Sequence, residues 1–368
     1  MRKSSSLSVA VFAAVLVLGN RLDGVGRLPN YTITELGTLG GTESFAYAIN
    51  NRGDIVGSSR LIGDSFTHGF LFGFGSMMDL NPLNSGLVQT VGPTGINNRG
   101  EIASGLIRGG VYAAAVYNSR NGEINVLGSF GGLAFGSFSG TATAINDSGH
   151  AVGYSYIDDL NRHAFLYKSG QMTDIGSLGG YSAALSINNA DDVVGFSSAS
   201  VNGSAHPFLY RQGVMSQINP FDQPSGEGIA WKVNNGGAVV GEALNGPYIN
   251  GFVYFKGLVT NVGTLDGGHN SHAYSINDGR DVVGVADAPY QDVCFDYETL
   301  QPVQCVNFSY QGFLFKDGVM TDLRDLVGRN SGWDALYAFD INNRGQITGY
   351  GLRSGRFRAF VLTPNPER

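Results

Sequence analysis

Beyond its N-terminus the chain has no stretch in which apolar residues recur at helical spacing over the ten or more positions a helix needs. A helical or mixed α/β architecture is thereby excluded. Charge is also scarce. Charged residues make up 14%, the formal net charge is −7, and no basic stripe occurs. Binding to nucleic acid or to a polyanionic surface by bulk charge is therefore not expected. No nucleophile elbow, phosphate loop or His-Glu-x-x-His segment is present, which disfavours serine-hydrolase, nucleotide and zincin chemistry. No cofactor and no metal are expected.

The two cysteines, Cys294 and Cys305, both fall in a segment between Val285 and Tyr310. In an exported chain such a close pair reads as a disulfide closing a short loop. Metal ligation is the weaker alternative, because no His stands nearby at a binding spacing. The one long apolar run, Leu7 to Leu18, follows Arg2 and Lys3 and is short for a bilayer span. Residues 1–26 therefore read as a secretory signal, with an uncleaved anchor as the alternative. Residues 27–368 then form a single domain, exported to the periplasm or the extracellular space and monomeric, with no later membrane span.

What the chain does have is a recurring phrase. Ile49-Asn50-Asn51-Arg52-Gly53 returns as Ile96-Asn97-Asn98-Arg99-Gly100 and Ile145-Asn146-Asp147-Ser148-Gly149. It continues as Ile187-Asn188-Asn189-Ala190-Asp191, Val233-Asn234-Asn235-Gly236-Gly237, Ile276-Asn277-Asp278-Gly279-Arg280 and Ile341-Asn342-Asn343-Arg344-Gly345. Steps between the first Asn of each copy are 47, 49, 42, 46, 43 and 65 residues. A period of about 45 residues is the mark of a repeat array. Each phrase leads to an apolar run ending in Gly, such as Ile55-Val56-Gly57 or Val193-Val194-Gly195. A second run follows, such as His68-Gly69-Phe70-Leu71-Phe72, His163-Ala164-Phe165-Leu166-Tyr167 or His206-Pro207-Phe208-Leu209-Tyr210. A third, such as Met172-Thr173-Asp174-Ile175, and a fourth, such as Ala46-Tyr47-Ala48-Ile49, complete the unit.

The runs are four to six residues long, rich in Val, Ile, Phe and Tyr, and bounded by Gly, Asn or Asp, as strands are. Glycine, at 55 of 368 residues, supplies the tight turns. Four short strands per repeat, apolar on both faces, describe the blades of an all-β, seven-bladed β-propeller. The last repeat supplies only three runs, and the missing one lies at the other end of the chain, in Tyr31–Gly37. The N-terminal strand is expected to close the ring and remove its open edges.

The His-Ala-Phe run, the Ile-Asn-Asn-x-Gly turn and Leu-Gly-x-Leu-Gly-Gly (Leu36 to Gly41, and Ile175 to Gly180 with Ile first) together resemble the bacterial extracellular HAF repeat. The resemblance covers nearly everything after residue 30. It implies a secreted or surface repeat protein without an established common activity. Ala113-Ala114-Ala115-Val116-Tyr117 in the second repeat departs from the His run, and the sixth repeat carries the large insertion.

The Asn phrases read as turns, not calcium loops, because carboxylates are absent from several copies and Asn tolerates left-handed φ. His68, His163 and His206 read as structural strand-entry residues. Function is expected where the repeats disagree, in the loops joining blades and in those between the second and third strands of each blade. Candidate ligand contacts there are Trp231, Trp333, Glu43, Glu227, Tyr181 and Asp334, with the tryptophans exposed. Phe130, Phe135, Phe138, Tyr290, Phe295, Asp296, Tyr297 and Glu298 accompany them. Rings flanked by carboxylates and amides suit a glycan or a protein partner. The alternative is a carbohydrate-active enzyme at the same face. A polysaccharide lyase would use His269, His272, Tyr290 and Arg329 as base, acid and clamp. A glycoside hydrolase would use Glu43 and Glu227.

Overall fold

A computed structural model describes residues 30–64, 66–81, 89–108, 111–132, 139–223, 225–296 and 301–366, side chains being left aside over 89–93, 107–108, 291–296 and 301–306. The chain forms seven four-stranded antiparallel sheets arranged as a seven-bladed β-propeller. In blades 1 to 6 the four strands follow one another outward from the axis. The innermost strands are Gly40–Ile49, Gln89–Ile96, Gly140–Ile145, Ser182–Ile187, Gly228–Val233 and Ser271–Ile276, and Ala335–Ile341 serves blade 7. Blade 7 is composite: Ala335–Ile341, Ile347–Arg353 and Arg356–Pro364 are completed by Tyr31–Gly37. That closing strand runs antiparallel to the last one, Tyr31 opposite Pro364 and Glu35 opposite Phe360. Among the described residues, the exception to the all-β expectation is a five-residue helix, Leu323–Val327, in the segment joining blades 6 and 7. Asp322 caps it by accepting the Arg324 N–H, and Leu323, Leu326 and Val327 point into the core.

The Phe of each His-Ala-Phe run is the largest residue of its blade to be wholly buried: Phe70, Phe165, Phe208, Phe252, Phe313 and Phe360 each have 0% exposure. Burying one such ring stabilises by about 1.5–3 kcal/mol. Opposite it on the second strand stands the Gly that ends the Val-Val-Gly run, as in Gly57↔Phe70 and Gly241↔Phe252. A Cβ on Gly57 would lie 2.8 Å from the Phe70 ring and 2.0 Å from the Phe45 carbonyl oxygen. The departure in blade 2 obeys the same constraint: Ala115 replaces Phe, and Ser104 replaces its facing Gly. With no ring to seat, the facing position can carry a small side chain.

His68 and His163 meet the Asp eleven residues on, with Nδ1 2.8 Å from Asp79 and 2.9 Å from Asp174. They tie the third strand to the fourth, consistent with a structural role.

The Asn phrases do more than turn. Within each turn the first Asn accepts backbone N–H groups through Oδ1, as Asn50 does from Arg52 and Asp54. Its Nδ2 donates to the backbone carbonyl of the same Asn in the next blade. The bonds run Asn50 to Asn97 (3.0 Å), Asn97 to Asn146 (2.8 Å), Asn146 to Asn188 (3.0 Å) and Asn188 to Asn234 (3.1 Å). They continue Asn234 to Asn277 (2.9 Å), Asn277 to Asn342 (3.4 Å) and Asn342 back to Asn50 (2.9 Å). A second ring lies beside the first. The backbone N–H of each second residue donates to the side-chain oxygen of its counterpart, from Asn51→Asn98 and Asn98→Asp147 round to Asn343→Asn51, all at 2.8–3.0 Å.

The composition of the phrase follows. The first position must accept and donate at once, and it is Asn in all seven copies; the second only has to accept, and Asp stands there at 147 and 278. Replacing Asn50 by Asp should lower stability by about 1–3 kcal/mol, because a buried donor is lost and a carboxylate faces the Asn97 carbonyl. Asn51→Asp, which keeps the accepting oxygen, should stay within about 0.5 kcal/mol of the parent. Denaturant midpoints measured on both variants decide it, and equal losses would remove the second half of this account.

The same face sets the acid response. Burial alone would raise the Asp147, Asp191 and Asp192 carboxyls. Hydrogen bonds from Asn98 and Asn189, from Lys168 and His150, and from Arg211 and Asn188 respectively outweigh it and hold all three below the ordinary 3.8. A depressed folded-state value stabilises fully above the ordinary value, and that contribution is lost as pH falls through the lowered one. The melting temperature should therefore fall steadily from about pH 5 to about pH 2. A flat profile over that range would contradict the assignment.

Candidate functional site

Each innermost strand carries a β-bulge just before its Asn turn. Register shifts between Ala46 and Ala48, Ala142 and Ala144, Ala184 and Ser186, Ala230 and Lys232, Ala273 and Ser275, and Ala338 and Asp340, and a wider shift occurs between Val91 and Gly95. An extra residue in a bulge is turned out of the ladder and re-aimed. The bulge also pushes a carbonyl toward the second strand, within 2.0 Å of where a Cβ would sit on Gly57, Gly153, Gly195 or Gly241. The glycine permits the bulge, and the bulge presents one side chain per blade to the axis.

Those seven side chains are Tyr47, Thr94, Thr143, Leu185, Trp231, Tyr274 and Phe339, and all line a central cavity of about 440 Å³. The lining is lopsided. Thr94, Thr143 and Leu185 occupy blades 2 to 4, whereas Trp231, Tyr274, Phe339 and Tyr47 form an aromatic wall across blades 5, 6, 7 and 1. Trp231 meets Tyr274 edge-on at 5.7 Å, Tyr274 stacks on Phe339 at 5.3 Å, and Phe339 stacks on Tyr350 at 5.1 Å. Burial first, and then the charge of Glu242 with Tyr350 and Tyr310, pushes the Tyr274 hydroxyl well above the ordinary tyrosine value. It stays protonated and able to donate.

Within the wall sits an ion pair. Lys232 of blade 5 reaches past blade 6 to Asp340 of blade 7, Nζ to Oδ1 2.9 Å. Asp340 is buried, and it also accepts from Ser275 Oγ (2.6 Å) and the Ile49 N–H (2.9 Å). Toward the variable-loop end of the same strands, Glu242 accepts from Trp231 Nε1 (2.9 Å) and pairs with His272 Nδ1 (2.7 Å). Nδ1 is thereby held against a carboxylate to which it can donate. Nε2 lies 3.2 Å from the Tyr310 hydroxyl, which burial, Asp287 and Glu242 keep protonated above its ordinary range.

Placement of the sequence candidates is uneven. Trp231 lies in an innermost strand, not a joining loop, and lines the cavity. Trp333 is not exposed: at 5% it is packed edge-on against Phe360, 5.7 Å away, as part of the core under the joining segment. Glu43 is paired with Arg60 at 2.8 Å, Glu227 accepts from Ser204 Oγ, and Tyr181 sits edge-on to Phe196. Asp334 is exposed. His269 stacks on Tyr248 at 4.7 Å, Tyr290 is exposed, and Arg329 is bonded to Asp325 at 2.6 Å. Among the described residues, no hydrogen bond or ring contact joins any two of His269, His272, Tyr290 and Arg329.

Backbone register sets Cys294 opposite Val303 and Cys305 opposite Asp292, a diagonal offset of two on one face of the ribbon. Their side chains lie outside the described residues, as do those of Phe295 and Asp296. Residues 1–26, Phe135, Phe138, Tyr297 and Glu298 are likewise outside them. Among the described residues, no helix is long and apolar enough to cross a membrane.

The residues that sequence reasoning missed are the bulged ones other than Trp231. Their signal was available: the position three before each marker Asn changes from Tyr to Thr, Leu, Trp or Phe inside an otherwise uniform phrase.

No family model and no curated protein matches the chain. Among solved structures it is similar to an acylaminoacyl peptidase of Pyrococcus horikoshii, with a TM-score of 0.51 and 11% identity over 90% of this chain and 52% of that one. TolB from Acinetobacter baumannii matches at 0.44 and 13%, over 90% and 65%. An oligogalacturonate lyase from Vibrio parahaemolyticus matches at 0.44 and 11%, over 92% and 95%. The likeness to the peptidase is one of fold alone. The chain spans about half the length of the peptidase and two thirds that of TolB.

The Lys232–Asp340 pair yields a test of the site's construction. Lys232→Met leaves a buried carboxylate short of a partner and should cost about 1–3 kcal/mol, discounted because Lys232 is part-exposed and Ser275 still donates. Adding Asp340→Asn should recover part of the loss. If the double variant is as unstable as the sum of both single ones, the two residues are not coupled.

Proposed function

We propose that this chain is an exported, non-enzymatic propeller that binds a glycan, with the aromatic wall of the channel as the contact surface. The observation that carries the reading is the continuous set of rings from Trp231 through Tyr274 and Phe339 to Tyr350, edged by groups that donate and accept hydrogen bonds. Sugar rings offer C–H faces to aromatic planes and hydroxyls to polar rims, and concave sites with a few placed polar groups hold such ligands. Export is supported by the N-terminal leader pattern and by the resemblance to the HAF repeat.

A second reading rests on a specific arrangement. Glu242, His272 and Tyr310 form a carboxylate–imidazole–phenol chain at the loop end of the channel, the composition of a general base with its orienting group. A lyase acting on a uronate polysaccharide would use it to abstract a proton. Arg329, the clamp expected from the sequence, is held by Asp325.

Binding of the purified protein to a panel of neutral and acidic polysaccharides separates these readings when the ultraviolet absorbance of an unsaturated uronate is followed in the same samples. Trp231→Ala should weaken glycan binding about tenfold or more, with no product in any sample. Trp333→Phe should leave affinity unchanged. Product growth abolished by His272→Ala would replace the binding reading with the lyase one. Indifference to every glycan would sink both and leave a protein ligand.

A further inference from the structure

The hairpin Arg353-Ser354-Gly355-Arg356-Phe357-Arg358 concentrates three guanidinium groups within six residues of a chain whose formal charge is −7. Its turn has positive φ at both central residues, 50° at Ser354 and 73° at Gly355, the geometry of a tight two-residue hairpin. That turn makes Arg353 and Arg356 direct cross-strand partners, with Gly351 opposite Arg358 on the same face. Like charges directly opposite one another destabilise a sheet. At contact distance Glu35, on the closing strand, offsets two of them, 2.5 Å from Arg353 Nη1 and 3.0 Å from Arg358 Nε. Arg356 is exposed, and among the described residues no ion pair within 4 Å satisfies it. Three cations remain, with Glu35 in contact and the charge of Asp64 within electrostatic reach of Arg356, around a cleft of about 580 Å³ lined by Glu35, Arg353, Ser354, Arg356 and Arg358.

A guanidinium carries five N–H donors in a planar fork, matched to the paired oxygens of a carboxylate or sulfate. Arg353 and Arg358 spend few of theirs on Glu35 and the Phe357 carbonyl, and Arg356 spends none on an ion pair. We propose that this cleft binds the acidic group, carboxylate or sulfate, of an anionic polysaccharide, as a site separate from the channel. The bound oxyanion would take the free N–H groups of Arg356 and Arg353 and relieve the cross-strand repulsion. The whole-chain charge hides such a site, since the local excess is a feature of one hairpin. At low ionic strength the attraction is strongest, and added salt screens it.

The test uses the full chain and three immobilised polymers at low salt: dextran sulfate, polygalacturonate and neutral dextran. At least one acidic polymer should retain the protein, and dextran should not. Retention of dextran sulfate alone assigns the cleft to sulfate, and of polygalacturonate alone to carboxylate. Arg356→Glu should weaken the interaction about tenfold or more, and Arg356→Lys should keep part of it. Trp231→Ala should leave it intact. Because Arg356 is exposed and holds no other element, unchanged thermal melting of its variants confirms that folding is not the cause. Failure of both acidic polymers to bind, or an Arg356→Glu protein that binds them as tightly as the parent, overturns the proposal. So does loss of acidic binding in Trp231→Ala alone, which would place the anion in the channel.

Discussion

A single amide side chain, repeated seven times, carries the geometry of this molecule. The first Asn of each turn shapes its own loop with one atom and grips the neighbouring blade with another, and it is buried to 5% exposure or less in every copy. Individually such bonds contribute about 1 kcal/mol. Their effect comes from closure: every blade donates to the next, and Asn342 returns to Asn50, so none has a free end on that face. The second ring, from backbone N–H to side-chain oxygen, runs beside it in the same direction. A blade cannot tilt without breaking bonds to both neighbours.

That belt frees the inner wall to vary. Because spacing between blades is set at the turn, and packing within each blade by the Phe–Gly pair, the bulged residue bears little of either task. It is the position where side chains of very different size, from Thr to Trp, are tolerated at equal backbone geometry. Specificity can therefore be written into the channel without altering the scaffold, as binding loops do on other rigid folds. In blade 2, where Ala115 stands for Phe and Ser104 for Gly, the same separation shows, since the ladder persists while the packed pair changes.

The fold was legible because its determinants recur. Strand length, the Gly that closes the apolar run of the second strand in every blade but the second, and the Asn turn are each repeated at one period, and the strand missing from the last repeat appears at Tyr31–Gly37. The site was less legible, for physical reasons that differ by residue. Trp333 precedes a strand and so reads as a loop aromatic, but the helix Leu323–Val327 folds the joining segment inward, and the indole fills the space over Phe360. Trp231 reads as a joining-loop residue because its strand is short, whereas the bulge between Ala230 and Lys232 turns it to the axis. A bulge leaves no residue type of its own in the bulged strand. Its trace is the glycine on the adjacent one. Arg353, Arg356 and Arg358 disappear in a charge count over the whole chain and emerge only when the hairpin register sets two of them side by side.

Among the described residues, the buried carboxylate that lines the channel, Asp340, sits at the seam between the last blade and the first. The chain closes within blade 7, where Tyr31–Gly37 pairs with Arg356–Pro364, and the innermost strands of blades 7 and 1, Ala335–Ile341 and Gly40–Ile49, meet across about 290 residues of sequence. Asp340 accepts the Ile49 N–H across that junction, and it also accepts from Ser275 of blade 6 and pairs with Lys232 of blade 5. Four blades thus converge on one side chain, a polar network in which each partner satisfies another. The same atoms form part of the aromatic wall. A ligand that competes for Lys232 would draw on the contacts that hold the seam, so occupancy of the channel and the tightness of ring closure are thermodynamically linked. Occupants that leave the ion pair intact, meeting the rings of Trp231, Tyr274 and Phe339 instead, incur no such penalty, and uncharged sugar faces satisfy that condition.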